Sequence, residues 1–225
     1  GRQPLAAVAR QDAPLHRPRE GGLDKLGGAA WQARKARVKE RITRVARDLM
    51  RIAAERKLRK SEIIDVPESV LEEFAQTFPY SETDDQLSAI EDVIDDLASG
   101  HPMDRLVCGD VGFGKTEVAI RAAFVGAMAG HQVAIVAPTT LLARQHFKTF
   151  QDRFKDLNIR IAQLSRLVNA KDAAATKEAL ERGEIDIVIG THALLAESLT
   201  FGNLGLLVID EEQRFGVRQK ERMKK

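Results

Sequence analysis

Leu106-Val107-Cys108-Gly109-Asp110-Val111-Gly112-Phe113-Gly114-Lys115-Thr116-Glu117 opens on an apolar run, turns through three glycines and ends on a lysine–threonine pair ahead of a helical pattern. Glycine tolerates backbone conformations that side chains forbid, so Gly109–Thr116 can curl until successive amide N–H groups converge on an anion. The spacing G-x-x-x-x-G-K-T is that of a phosphate-binding loop. Lys115 supplies a point charge for the β- and γ-phosphates of a nucleotide, and Thr116 a hydroxyl ligand for Mg²⁺. A helix expected from Glu117 to Met128 adds the positive end of its dipole to the same site. Every residue from Gly109 to Glu117 is thus a candidate nucleotide contact.

Downstream of the loop, short β-rich runs alternate with helical patterns. Strands are expected at Arg105–Cys108, Gln132–Ala137, Arg160–Leu164, Ile185–Ile189 and Leu206–Ile209. Helices are expected at about 115–129, 140–154 and 170–182, with a shorter one after Thr191. Continuous apolar strands separated by helices imply an α/β fold, a parallel sheet covered on both faces. Ligands in such sheets sit at the carboxyl ends of the strands. Leu206-Leu207-Val208-Ile209 runs into Asp210-Glu211-Glu212-Gln213, which places an acidic pair at that edge. Asp210 is the candidate Mg²⁺ holder opposite Thr116, and Glu211 the candidate catalytic residue that orients the attacking water, working with Lys115.

Upstream, the chain is electrically polarised. Residues 1–60 hold 17 Lys/Arg against 6 Asp/Glu, a local +11, whereas residues 61–100 hold 12 Asp/Glu and no Lys/Arg, a local −12; the whole chain is only +2. Such segregation points to an acidic partner for the basic part or to complementarity within the molecule. Residues 1–28 carry Pro4, Pro14, Pro18 and two Gly-Gly pairs without periodicity, and read as a linker or the end of another module. From Ala29 to about Lys60, Val38, Ile42, Val45, Leu49 and Ile52 form one narrow apolar stripe down a basic helix. Pro67 opens a short helix broken at Phe78-Pro79-Tyr80. Thr83 or Ser81 caps the next, Asp84 to Ala98, with Leu87, Ile90, Val93, Ile94 and Leu97 facing inward.

The remaining bulk properties narrow the setting. No apolar run approaches the ~20 residues of a membrane span, so no membrane partner is expected. The single cysteine, Cys108, forms no internal disulfide and is expected as a small buried hydrophobe in a reducing cytoplasm. The five histidines show no zinc-ligand spacing with cysteine.

The pairing of G-x-x-G-x-G-K-T with Asp210-Glu211 resembles the first motor lobe of superfamily 2 helicases and translocases. Further markers of that family follow in order. Gln86 stands where the family has its adenine-reading glutamine, and Phe78 or Tyr80 is placed to stack on the base. Ala137-Pro138-Thr139-Thr140-Leu141-Leu142 is similar to the motif that grips a DNA phosphate, and Gly190-Thr191-His192 to the next strand-contacting motif. Thr139, Thr140, Thr191 and His192 are therefore candidate DNA contacts, with Gln145 and His146 as weaker ones. Helix capping competes for the threonines, although both roles use a helix N-terminus.

Asp104 to Ala119 and Asp210 to Val217 are more narrowly similar to the bacterial transcription-repair coupling factors. The Arg-Phe-Gly-Val tail at 214–217 is shared with branch-migrating helicases of the RecG type. Glu117-Val118-Ala119, Glu212, and Leu23 to Gly28 followed by Trp31 favour the coupling factors. That resemblance implies a RecA-like P-loop lobe over 67–225, stopping after the acidic motif, a long basic linker helix over 29–66, and over 1–28 a linker or the end of a polymerase-binding module. It implies an ATP- and Mg²⁺-dependent translocase on double-stranded DNA, gripping phosphates without regard to sequence. RNA polymerase and excision-repair proteins are the implied partners, through regions mostly outside these residues. A second motor lobe with its arginine fingers is expected beyond Lys225.

Overall fold

Val133, Ala134, Ile135 and Val136 are all at most 2% exposed, as a strand covered on both faces must be. In the computed structural model, which describes residues 28–110 and 112–211, they form β1 (Gln132–Val136) at the centre of a four-stranded sheet. β2 (Ile161–Leu164), β3 (Ile187–Gly190) and β4 (Leu204–Ile209) complete it in the order β2-β3-β1-β4, and every pairing is parallel. The register aligns Val136 with both Gly190 and Ile209, and Gly190 with Leu164. All four carboxyl ends therefore share one edge.

Side chains alternate across the sheet. Val133, Ile135, Ile187 and Ile189 enter one cluster with apolar residues of α2 (Glu68–Gln76), α3 (Asp84–Ala98), α4 (Lys115–Met128) and α5 (Thr140–Phe154). Ala134, Val136 and Val188 enter the other, with Leu180 of α6 (Ala170–Glu181) and Leu194 of the 3-10 turn His192–Leu195. The first cluster holds the aromatic core: Phe74 and Phe124 stack with ring centroids 4.0 Å apart, and Phe150 and Phe154 at 5.6 Å. Such pairs contribute about 0.5–1.5 kcal/mol each beyond the area they bury.

Local chemistry sets the helix starts. Thr83 caps α3 in a full capping box with Gln86, and Thr139 and Asn169 cap α5 and α6 through their side-chain oxygens. The basic helix is α1 (Ala29–Leu58), laced by the ion pairs Arg44–Glu40 and Arg51–Glu55 one turn apart. The molecule divides at Lys60/Ser61 into two compact units, with α1 in the first and the sheet in the second. Among the described residues no helix is long and apolar enough to cross a membrane.

Four expectations are corrected. Arg105–Cys108 is not a strand: among the described residues the run pairs with no other, Leu106 is 67% exposed and Cys108 is exposed rather than buried. Arg105 is instead clamped to α3, its Nε donating to Asp96 at 2.6 Å and Nη1 to Asp92 at 2.7 Å. Leu87, expected inward, is 42% exposed, one helical turn ahead of the buried Ile90. The strand expected at Ile185 begins at Ile187, although Ile185 itself is buried. Residues 1–27, Val111 and Glu212 onward lie outside the described residues. The expectations for the N-terminal module, for Val111 and for the Arg-Phe-Gly-Val tail go with them.

Candidate active site

The loop turns where only glycine turns easily. Gly112 has φ +88° and Gly114 φ +73°, both in the left-handed region. Gly114 carries a second constraint, because a Cβ there would lie 2.1 Å from Nε2 of Gln86. That cradle has room for backbone and for little else. Lys115 is the first residue of α4, and its ammonium donates to the carbonyls of Gly109 and Asp110, the latter at 2.8 Å. Lysine and loop carbonyls thus already converge where a phosphate would replace the carbonyls as acceptor. Thr116 follows, half-buried.

Gln86 spans two elements. Its Oε1 accepts from the Thr83 amide at 2.9 Å, and its Nε2 donates to the Phe113 carbonyl at 2.8 Å. The residue expected from sequence to read a base is therefore bonded directly to the glycine-rich loop. Phe78 meets Tyr80 edge-on, with centroids 5.5 Å apart, and Arg153 lies over the Phe78 ring at 5.6 Å.

At the end of β4, Asp210 is tied to the sheet by its amide, which donates to Val136 O at 2.9 Å. Its carboxylate accepts from His146 Nε2 at 2.8 Å, a bond that requires a proton on that nitrogen. This bond holds the Asp210 carboxyl below the usual aspartate range against the opposing effect of burial; the Glu211 amide and the Lys115 charge act in the same direction. Lys115 and Asp210 thus sense each other electrostatically. Glu211 has φ +50°, an uncommon conformation for a residue with a side chain and one that collects at functional sites. Hydroxyl and carboxylate oxygens at Thr116 and Asp210 are hard donors of the kind Mg²⁺ prefers.

The candidate DNA contacts separate. Thr139, exposed, accepts from the Leu142 amide at 3.2 Å as the cap of α5, and Thr140 opens that helix. Gln145 is exposed on α5, whereas His146, one residue on, is turned to Asp210 and spends its Nε2 there. Thr191 is 3% exposed and its hydroxyl has no hydrogen-bond partner among the described residues; His192 beside it is half-buried. Gly190 is needed for packing, because a Cβ there would lie 2.2 Å from the Leu164 carbonyl.

Glu117 is buried, and its carboxylate is taken by two arginines: Arg121 Nε donates at 2.6 Å and Arg153 Nη2 at 2.7 Å. Arg121 also pairs with Glu82, and Arg153 Nη1 donates to the Thr77 hydroxyl. Sequence reading missed Glu82, Arg121 and Arg153. The only signal was the i,i+4 spacing of Glu117 and Arg121, which many exposed helices share.

The DEAD/DEAH box helicase model matches residues 83–225. The chain is 52% identical over 206 residues to a transcription-repair-coupling factor of Rickettsia bellii (strain RML369-C), covering 90% of this chain and 18% of that protein. It is 48% identical to the one of Bacillus subtilis (strain 168), over 92% of this chain and 18% of that protein. Among solved structures it is similar to RecG bound to a three-way DNA junction, at TM-score 0.68 and 38% identity, over 74% of this chain and 23% of that one. The chain spans less than a fifth of the length of these curated relatives.

Proposed function

This chain belongs to the DEAD/DEAH box helicase family, and on that premise we propose that it is the linker helix and first motor lobe of an ATP-driven double-stranded DNA translocase, a transcription-repair coupling factor that displaces stalled RNA polymerase and couples to nucleotide excision repair. The observation that carries the motor reading is the shared edge of the sheet. Asp210, Gly190-Thr191 and Pro138-Thr139 leave adjacent parallel strands side by side, with Asp210 within electrostatic reach of Lys115. Nucleotide and polynucleotide chemistry meet there. The RecG structure favours the branch-migrating helicase as the second reading, but at lower identity than the coupling factors.

In this reading Gly109 to Thr116 wrap the triphosphate with backbone amides, and Lys115 exchanges its loop carbonyls for β- and γ-phosphate oxygens. Thr116 and Asp210 would hold Mg²⁺, which supplies charge neutralisation on those oxygens. Glu211 orients the attacking water, and Gln86 with Phe78 or Tyr80 receives the base. Thr139, Thr140 and the α5 N-terminus take a DNA phosphate, making contact salt-sensitive and indifferent to sequence. The setting is cytoplasmic. Polymerase and repair partners bind elsewhere in the longer protein. An arginine from a second lobe completes neutralisation in the transition state, a contribution of about 10³–10⁵ in rate.

The test is ATP hydrolysis by the full-length protein with and without double-stranded DNA. Stimulation by DNA, abolished by Lys115→Ala, is expected. Stimulated hydrolysis that survives Lys115→Ala would place the site elsewhere. A clear preference for one DNA sequence would count against a translocase.

A further inference from the structure

Two arginines and two glutamates form a charge-balanced chain inside the lobe: Glu82 to Arg121, Arg121 to Glu117, Glu117 to Arg153. Their side chains are 20%, 4%, 3% and 10% exposed, in the order Glu82, Arg121, Glu117, Arg153. Arg153 continues the chain by bonding Thr77 and lying over the rings of Phe74, at 4.6 Å, and Phe78. Glu82 has its carboxyl held below the usual range, first by its own backbone amide and, against burial, by Arg121.

The chain joins particular places. Thr77, Phe78 and Glu82 lie in the irregular segment between α2 and α3, next to Gln86 and including both aromatic candidates for the base. Glu117 and Arg121 stand on the first two turns of α4, the helix that begins with Lys115. Arg153 comes from the last turn of α5. The segment expected to meet the base is thus pinned to the helix expected to meet the phosphates.

Stability alone is a weak reason for such an arrangement. Taking charges out of water costs about as much as pairing returns, and apolar residues of the same volume commonly serve as well. What a buried network of charge-assisted hydrogen bonds does supply is fixed geometry. We infer that Glu82, Arg121 and Arg153 are positioning residues for base recognition: they set the distance between base pocket and phosphate loop, and so determine how strongly the base contributes to nucleotide affinity. The inference rests on the nucleotide reading above.

Binding of ATP and of inorganic tripolyphosphate, which has no base, separates the possibilities in the full-length protein. Glu82→Gln breaks the network at its most exposed joint and keeps the shape of the side chain. It is expected to weaken ATP on the order of tenfold, the size of a typical indirect coupling. Tripolyphosphate affinity and kcat at saturating ATP should stay unchanged. Arg153→Lys, which loses the planar fork and the stacking, should behave alike; if it does not fold, Glu82→Gln alone decides. Equal weakening of both ligands, or of neither, in a folded Glu82→Gln protein overturns the positioning role. A wild-type protein that binds neither ligand overturns the nucleotide reading, and this inference falls with it.

Discussion

His146 Nε2 lies 2.8 Å from Asp210 Oδ2, joining the second turn of α5 to the carboxyl end of β4. A residue read from sequence as a DNA contact is therefore the hydrogen-bond partner of the proposed metal-holding acid. Partners behind a ligand orient it, and losing one typically costs about 10–100-fold in metal affinity or activity. His146→Ala should raise the Mg²⁺ concentration needed for half-maximal ATP hydrolysis by about that factor. A magnesium titration of the variant that overlays the wild type would contradict the assignment.

Asp210 also predicts a pH dependence. Its folded carboxyl titrates below the usual aspartate range, so its contribution to stability is whole above the unfolded value of about 4 and is lost as pH falls through the lower folded value. Thermal melts of the wild type and Asp210→Asn should differ at neutral pH and converge as the solution is acidified below about pH 4. A gap that widens on acidification would reverse the sign.

At the other end of the sheet, Gln132 is buried and works as a strut. Its Nε2 donates to Leu180 O at 3.0 Å and Ile185 O at 2.9 Å, while its Oε1 accepts from the Asn203 amide at 2.9 Å. Gln132→Ala strands three backbone groups, and a loss of about 2–3 kcal/mol is expected from urea denaturation. Nucleotide affinity should not move, because this end faces away from the loop.

Two glycines should separate by readout. Gly190→Ala drives a methyl into the Leu164 carbonyl, backbone that cannot swing aside, and should destabilise the lobe by about 3 kcal/mol. Gly114→Ala meets only the end of the Gln86 side chain but must keep φ +73°. It should cost about 1–2 kcal/mol in stability and lose most nucleotide binding. Melting curves and ATP titrations of both variants check the contrast.

Much of this architecture is legible from local rules. α3 and α5 start where Thr83 and Thr139 cap them, and the central strand is a continuous apolar run, because caps and burial patterns act over a few residues. Arg105–Cys108 has the same apolar look but a different fate. Asp92 and Asp96, 13 and 9 residues before Arg105, claim its guanidinium, and no propensity records that. His146 was visible as a position on α5, but not its destination on Asp210, 64 residues away. The Glu82–Arg121–Glu117–Arg153 chain was hidden for the same reason, since its members come from three separate stretches of sequence.

α5 carries Thr139 at its cap and His146 seven residues later, about 10 Å along a rod too short to flex appreciably. Whatever grips the tip of that rod pulls on the same beam that leans on Asp210. Under the proposed function, tightening the hold on the polynucleotide and adjusting the acid are one mechanical act. Selection on either property therefore acts on both.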